Sequence, residues 1–154
     1  MLRDVIESDL PIFFEHQRDP VAVRMAAFRP REREAFMTHW RERVLGTATN
    51  RAKTIEVDGR AAGNVVSWAQ DGRRLVGYWI GREHWGKGIA TRALNEFLAH
   101  ELVRPLHAWV AVDNPASIRV LEKCGFRRDA ATPLLTDDDG VVELLMTLAG
   151  ADGR

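Results

Sequence analysis

A strand-like apolar run changes to helical spacing in the middle of the chain. Leu75 to Ile80 is a short run of bulky, β-branched and aromatic residues, which favours a strand. After Gly86 the apolar residues recur at the spacing of one helix face, at Ile89, Ala93, Leu94, Phe97 and Leu98. The pattern predicts a strand that leads into a helix through a glycine-rich turn, which presents backbone N–H groups suited to an anion.

Two Asp-Gly dipeptides divide the preceding strand-like segments. Residues 53–57 and 60–70 flank Asp58-Gly59, a strong hairpin signal, and Asp71-Gly72 leads on to the central run. The spacing therefore predicts three antiparallel strands in meander order, ending near Gly81.

Downstream of the long helix the pattern predicts strand, helix and strand. Residues 106–112 read as an apolar strand, parallel to the central strand through a right-handed crossover. Asn114 is placed to cap the next helix, Pro115 to occupy its first position and Gly125 to end it. A short strand at 127–130, a turn at 137–140 and a last strand at 141–148 complete the pattern.

The first third of the chain is predicted to be mainly helical after a short strand at residues 2–6. Ser8 is expected to cap one helix and Pro30 to begin a second, which Gly46 ends. Residues 21–27 form either a helical turn or a loop beside a pocket. The inward positions of the second helix are expected to be Phe36, Met37, Trp40, Val44 and Leu45.

Composition narrows the class of protein. The 154 residues are 45% hydrophobic and 29% charged with a net charge of zero, which predicts one domain over residues 1–149, a disordered tail at 150–154, and no nucleic-acid or membrane partner. Cys124 is the single cysteine, so a reducing cytoplasm is the expected location. No signal peptide or run of roughly 20 apolar residues is present.

Three kinds of phosphate-binding turn compete for the glycine-rich segment. Gly81 with Gly86-Lys87 has the spacing of a P-loop, but Gly88 stands where Ser or Thr should hold magnesium. A dinucleotide fingerprint starting at Gly86 lacks its third glycine, because Thr91 stands there. The third kind is an acetyl-CoA loop.

A resemblance to a known family supports the acetyl-CoA loop. Trp85-Gly86-Lys87-Gly88-Ile89-Ala90 resembles the Arg/Gln-x-x-Gly-x-Gly/Ala loop of the GNAT N-acetyltransferases, and Trp85 with His84 is typical of the RimJ/RimL-like branch. A second motif, Asn114-x-x-Ser117 followed by Glu122-Lys123-Cys124-Gly125-Phe126, occurs in the order this family has. Together the two motifs and the element order extend the resemblance over nearly the whole chain.

The resemblance implies an α/β (α+β) GNAT fold. Its mixed, mostly antiparallel sheet of six to seven strands would splay between strands four and five, with about four helices. Acetyl-CoA would enter the wedge, its pantetheine arm pairing with the central strand and its pyrophosphate lying on the turn. The implied co-substrate-binding residues are Tyr78, Trp79, Ile80, Gly81, Trp85, Gly86, Lys87, Gly88, Ile89, Ala90, Thr91, Asn114 and Ser117.

Acetyl transfer also needs an acid, a base and a donor to the thioester oxygen. The backbone N–H of Ile80 is expected to be that donor. Relatives place a tyrosine acid where this chain has Leu121, so Ser117 is the next candidate, followed by Cys124. The base stays open among Glu56, Glu83, His84, His107 and residues 137–139. Expected to line the acceptor pocket are Asn64, Ser67, Gln70, Trp40, Trp68 and Trp79.

The resemblance implies an enzyme that transfers acetyl directly from acetyl-CoA to a primary amine, without a metal, as a monomer or homodimer. A protein N-terminus, a small metabolite amine and an antibiotic stay open as acceptors. The alternative from another class is an inactive acyl-CoA-binding sensor, which the missing tyrosine at Leu121 keeps open.

Overall fold

A computed structural model describes residues 1–26 and 30–150. The helices are α1 Leu10–Gln17, α2 Pro20–Ala26, α3 Arg33–Thr38, α4 Ile89–Leu98 and α5 Pro115–Lys123, with short 3₁₀ turns at Glu7–Asp9 and Arg82–His84 and a π-helical continuation of α3 at His39–Val44. The strands are β1 Leu2–Asp4, β2 Arg51–Val57, β3 Arg60–Gln70, β4 Arg73–Ile80, β5 Leu106–Ala111, β6 Arg127–Arg128, β7 Leu135–Thr136 and β8 Val142–Leu148.

The strands form one mixed sheet in the order β1-β2-β3-β4-β5-β8-β6, and the two-residue β7 pairs with β8. Among the strands of residues 1–26 and 30–150, β4 and β5 are the one parallel pair of neighbours. The GNAT fold predicted from the sequence is confirmed, with eight strands because β7 was not expected and with α2 as a helix in its own right.

The two Asp-Gly turns set the meander as predicted. Asp58 and Gly59 have φ of 52° and 76°, and Asp71 and Gly72 have the same two values. Two successive left-handed residues match the right-handed twist of a tight hairpin, which explains why β2, β3 and β4 follow one another as neighbours.

Helices cover both faces of the sheet. On one face α4 and α5 pack their apolar sides against the strands in a cluster that includes Phe97, Leu121 and Phe126. On the other face α1 and α3 build a second cluster around Phe13 and Trp40, whose ring centroids lie 5.0 Å apart. Each face of β4 therefore meets a different layer.

Strands β4 and β5 diverge into a wedge. Leu75 and His107 are their one register pair among the described residues, so the strands are joined near their beginnings and separate toward Ile80 and Ala111. At the joined end Glu101, 1% exposed, accepts hydrogen bonds from Ser67 Oγ at 2.5 Å and Arg74 Nε at 2.8 Å. This buried polar cluster lies where the wedge closes.

Several local expectations were wrong near the N-terminus. Ser8 does not cap a helix: the 3₁₀ turn starts at Glu7, and the Asp9 carboxylate accepts the Ile6 N–H at 2.9 Å. Pro30 lies before α3, which starts at Arg33 after the N-cap residue Glu32. Leu45 is 42% exposed instead of inward-facing, because the π-helical winding rotates the end of the helix.

Other boundaries shift by one to three residues, and the predicted segment at 21–27 is helical over its described part. Residue 27 and residues 151–154 of the predicted tail lie outside the described part of the chain. Within that part, none of the helices combines the length and the apolar character that crossing a membrane requires.

Candidate active site

The glycine-rich turn leaves a helix start without a protein partner. Gly86 and Gly88 have φ of 75° and 73°, a left-handed conformation that favours glycine. A Cβ on either residue would meet no heavy atom within 4 Å, so the space beside the turn is open. No side chain caps α4 and no acidic residue lies in its first turn. The free N–H groups of Ile89, Ala90 and Thr91 therefore suit a phosphate group.

Trp85 ties this turn to the end of β4. Its indole Nε1–H donates to the carbonyl oxygen of Ile80 at 2.9 Å, while its ring is partly exposed. The Lys87 side chain is exposed beside it. The tryptophan that departs from the family's usual first loop residue thus has a structural role of its own.

The backbone edge of β4 faces the wedge. Gly81 N–H donates to the Ala62 carbonyl of β3 at 2.8 Å. Because the hydrogen-bonding directions of a strand alternate, the N–H groups of Tyr78 and Ile80 point the other way, toward β5, with which they have no pairing. The backbone N–H groups of Trp79 and Gly81 point to β3 instead. Of the four predicted residues at 78–81, Tyr78 and Ile80 therefore have N–H groups on the free edge.

The Tyr78 hydroxyl crosses the wedge to Ser117, whose carbonyl oxygen accepts from it at 3.3 Å. Tyr78 Oη lies 2.7 Å from Ser117 Oγ, between β4 and the first turn of α5. Burial raises the pKa of Tyr78 to about 12 although the Ser117 hydrogen bond opposes the shift. The phenol therefore keeps its proton near neutral pH and is able to donate it.

The other predicted residues of the second motif are structural. Asn114 Oδ1 accepts the Ser117 N–H at 3.2 Å, as an N-cap residue does. Leu121 is 1% exposed in the core. Cys124 is buried against the Thr91 carbonyl oxygen at 3.6 Å, and burial raises the pKa of its thiol. Of Ser117, Leu121 and Cys124, Ser117 is the one that meets another hydroxyl at the wedge.

A cavity of about 890 Å³ lies on the opposite face of the sheet, between β3, β4 and α3. Its walls include Trp40, Trp68 and Trp79 with the polar side chains Asn64 and Gln70, as the sequence suggested. Tyr78 borders it as well. Ser67 is a correction: it is fully buried on the other face, where its hydroxyl binds Glu101. One residue of error in strand alternation is enough to reverse a face.

The π-helical segment supplies four cavity residues, His39, Trp40, Arg43 and Val44. Leu45 N–H donates to the Trp40 carbonyl at 2.8 Å, the i→i+5 bond of this winding. The pKa of His39 is lowered first by burial and then by the charges of Arg31 and Arg43. Its imidazole is thus neutral at pH 7.

None of the bases considered from the sequence lines this cavity. Glu56 accepts from Arg3 at 2.6 Å, and His107 Nδ1 lies 2.9 Å from Thr147 Oγ1. Glu83 is exposed, and its Oε1 lies 3.5 Å from His84 Nε2. Asp137 accepts the N–H groups of its own turn. Pattern reasoning missed His39, although it lies three positions after Phe36 on a predicted helix.

His16 was missed too. Its ring lies against Gly81, where a Cβ would come within 2.7 Å of Nε2. Its buried Nδ1 has no hydrogen-bond partner. Burial lowers the pKa of His16, and in addition the charge of Glu83 raises it slightly and that of His84 lowers it slightly. Within the described residues no group of three or more His, Cys, Asp or Glu side chains is placed to hold a metal ion.

Comparison with known proteins agrees with this geometry. The family model described as "Acetyltransferase (GNAT) domain" matches residues 1–127. An uncharacterized N-acetyltransferase p20 of Bacillus licheniformis is 31% identical over 81 residues, and the probable N-acetyltransferase YjcK of Bacillus subtilis (strain 168) is 36% identical over 79 residues. These alignments cover 50% and 49% of this chain and 45% and 44% of the relatives, so the chain matches less than half the length of either.

Solved structures of similar fold hold coenzyme A. The spermidine N-acetyltransferase of Vibrio cholerae in complex with CoA and spermine has a TM-score of 0.82 at 18% identity, covering 98% of this chain and 95% of that chain. The aminoglycoside acetyltransferase AAC(6')-Ib in complex with coenzyme A has a TM-score of 0.73 at 22% identity, covering 96% and 94%. Since the family match spans β1 to the start of β6 and includes both motifs beside the wedge, this chain belongs to the GNAT acetyltransferase family.

Proposed function

We propose that the protein is an N-acetyltransferase that moves the acetyl group of acetyl-CoA directly to a primary amine. The observation that carries the proposal is the Tyr78–Ser117 hydrogen bond in the wedge. Tyr78 also borders the large cavity, and its strand β4 leads on to the open glycine turn. A reaction between two substrates needs such a meeting point.

The co-substrate site we propose follows the wedge. The pyrophosphate binds the N–H groups from Gly86 to Thr91, and the pantetheine arm pairs with the free edge of β4 at Tyr78 as an added strand. The Ile80 carbonyl is taken by Trp85, which leaves the Ile80 N–H for the thioester. Trp79, Gly81, Trp85 and Asn114 act indirectly, because their polar groups already bind other parts of the protein. Lys87 contributes charge from an exposed position.

Acetyl transfer forms a nitrogen–carbon bond, breaks the carbon–sulfur bond and moves one proton from the amine toward the departing sulfur. The Ile80 N–H stabilises the thioester oxygen as it becomes negative. The Ser117 hydroxyl donates a proton to the thiolate and recovers one from Tyr78, whose hydroxyl it already meets. Tyr78 then takes a proton from solvent, which balances the proton that the amine gives up. The acid role lost at Leu121 is thereby supplied from β4 and α5 together.

His39 is the base in this proposal. Among the described residues that line the cavity, the ionisable side chains are Arg31, His39, Arg43 and Tyr78. Arginine and a tyrosine of high pKa cannot accept a proton at pH 7, whereas a neutral imidazole can. It acts on the amine directly or through water.

Finer assignments rest on single features. The His84-Trp85 pair and Ser117 support a RimJ/RimL-like branch, and the lone buried Cys124 fits a reducing cytoplasm. We propose one catalytic domain over residues 1–149, acting as a monomer or homodimer. The acceptor is a small molecule, as spermine and aminoglycosides are for the structural neighbours.

An inactive acyl-CoA sensor fits less well, because a binding protein has no need of two hydroxyl groups where the thioester would lie. The test is a screen of acetyl-CoA turnover across a panel of amines, read by release of free thiol. Calorimetry with acetyl-CoA accompanies it. Binding with turnover supports the proposal, and binding without turnover on any amine supports the sensor. No binding at all removes the wedge as a co-substrate site.

A further inference from the structure

The mouth of the large cavity carries positive charge without negative charge. Arg31 and Arg43 both line it, and no aspartate or glutamate does among the described residues. Neither guanidinium lies within salt-bridge distance of a described carboxylate, whereas Arg41 pairs with Glu7 and Arg18 with Glu15. The cavity thus presents two guanidinium groups, without carboxylate partners among the described residues, to a bound ligand.

Both arginines are held at their backbones. The Gln17 side chain, 4% exposed, donates to the Arg31 carbonyl at 3.1 Å and accepts the Arg31 N–H at 3.3 Å. The Arg43 carbonyl accepts from Thr47 Oγ1 at 2.8 Å and Asn50 Nδ2 at 3.0 Å. Gln17, Thr47 and Asn50 are cavity residues as well. A guanidinium on an anchored backbone loses less freedom when it binds an anion.

The two charges act on the same part of the cavity. His39 lies between the arginines in sequence, and both of them lower its pKa in addition to burial. Two acidic side chains of the same helical segment, Glu34 and Glu42, line a separate shallow depression that shares His39 and Arg43 with the cavity. They do not place a negative charge inside it.

We propose that the acceptor is an amine that carries an anionic group, a carboxylate or a phosphate, which Arg31 and Arg43 bind at the cavity mouth. The planar guanidinium matches both anions with paired hydrogen bonds. The aromatic walls formed by Phe36, Trp40 and Trp68 suit an apolar part of the acceptor. Polycationic acceptors such as spermine are repelled by the same charges.

The arginines position the acceptor, and they do not activate its amine. The bound anion neutralises much of their positive charge. Since a free lysine-like amine of pKa about 10.4 is neutral in only about one molecule in 10³ at pH 7, removal of its proton is still needed and is the role of His39 in the proposed function. This inference rests on the proposed acetyltransferase function.

Matched probes test it. Phenylalanine carries a carboxylate, which phenylalaninamide and phenethylamine lack. Comparison of ethanolamine phosphate with ethanolamine tests a phosphate in the same way. Aminoalkanoic acids of increasing length report the distance between anion and amine. We expect at least one anionic amine to have a kcat/KM about tenfold to a hundredfold above its neutral partner, an advantage that declines with salt. Spermidine should be poorer than the best anionic amine.

The variants are Arg31→Gln, Arg43→Gln and their combination, with Arg33→Gln as the control. Arg33 lies on α3 over the Phe14 ring at 5.6 Å and does not line the cavity. We expect the cavity variants to raise KM for the best anionic amine about tenfold or more, with little change for its neutral partner, and Arg33→Gln to change neither. Arg→Lys variants should recover part of the loss.

A binding measurement separates this inference from the proposed function. The deaminated acid 3-phenylpropanoate is titrated into protein saturated with CoA, where no reaction is possible. Preference for neutral amines or spermidine, with no effect of the arginine variants, overturns the anionic acceptor while leaving the acetyltransferase intact. Absence of acetyl-CoA binding overturns the proposed function instead, and binding of 3-phenylpropanoate that Arg31→Gln/Arg43→Gln weakens still supports an anion site.

Discussion

The phenol oxygen of Tyr78 lies 2.7 Å from Ser117 Oγ, so a strand residue and a helix residue on the two sides of the wedge share one hydrogen bond. Tyr78 is also a wall residue of the cavity beyond the sheet. Its ring packs with the α4–α5 cluster, so the hydrogen bond itself lies on the proposed co-substrate side of β4. The pair also provides the hydroxyl that the motif lacks at Leu121.

Ser117→Ala should lower kcat by about 10²-fold while the affinity for acetyl-CoA is nearly unchanged. The effect is at the modest end of acid–base catalysis because a thiol with a cysteine-like pKa of about 8.5 is already a fair leaving group. Steady-state kinetics and calorimetry measure the two quantities. Wild-type kcat in this variant would leave Ser117 a helix-start residue.

Tyr78→Phe tests whether the two hydroxyl groups act as one unit. We expect a loss of about tenfold in kcat, and we expect Tyr78→Phe combined with Ser117→Ala to be no worse than Ser117→Ala alone. Since the pKa of Tyr78 is raised to about 12, no loss of activity from its ionisation should occur below about pH 10. Fully additive losses in the double variant would show that the residues act independently.

Gly88→Glu should abolish acetyl-CoA binding with the fold retained, because it places bulk and negative charge in the open space of the turn. The left-handed backbone alone costs a non-glycine residue about 1–2 kcal/mol. Gly72→Glu is the matched control, since Gly72 has φ of 76° in an equally open turn at the other end of β4. Equal affinity in both variants would remove the turn from the site.

His39→Asn should lower kcat/KM by about 10²-fold and remove the acidic limb of the pH profile. The base is the neutral imidazole, and its pKa is lowered from the usual value by burial and by Arg31 and Arg43. Wild-type kcat/KM should therefore decline only at a pH below the usual imidazole pKa of about 6.5. His100→Asn, at an exposed position, is the control, and an unchanged acidic limb in His39→Asn would exclude this base.

Glu101→Gln should lower the free energy of unfolding at pH 7 by about 3 kcal/mol. The reason is that the Arg74 guanidinium, which is largely buried, loses the carboxylate with which it forms an ion pair. Burial alone would raise the pKa of Glu101, but hydrogen bonds from Ser67, Arg74 and the Val103 N–H outweigh it and lower the pKa overall.

The pH dependence of that loss has a definite sign. A carboxyl group whose pKa is lowered by folding stabilises the fold above its unfolded pKa of about 4.3, and this contribution disappears as the pH falls through the folded value. The difference between wild type and Glu101→Gln should thus shrink below about pH 4 in urea titrations. Glu15→Gln, in the exposed pair with Arg18, should cost almost nothing. A deficit that is independent of pH would contradict this assignment.

The sequence predicted those elements whose signals are local. The Asp-Gly turns, the apolar face of α4 and the Asn114 cap of α5 all depend on neighbouring residues, and their structures agree with expectation. The GNAT motifs added the wedge, which no local pattern contains. Family knowledge and turn chemistry together therefore gave the topology.

The cavity was less predictable because it depends on contacts between distant segments. His39 and Arg43 reach it through a π-helical winding that residue preferences do not encode. Ser67 was placed on the wrong face because both neighbours in its strand, Val66 and Trp68, are apolar and the alternation is weak there. The partnership of Tyr78 with Ser117 spans 39 positions and needed the assembled sheet.

The single register pair between β4 and β5 leaves an unpaired strand edge inside the protein. Unpaired edges are sites where strands of other chains add and aggregation begins. A bound pantetheine arm would occupy this edge, so the acyl donor would also protect the protein against self-association. We therefore expect acetyl-CoA to slow hydrogen exchange at Ile80 and to extend the shelf life of the purified protein, and stocks stored without it to form aggregates first.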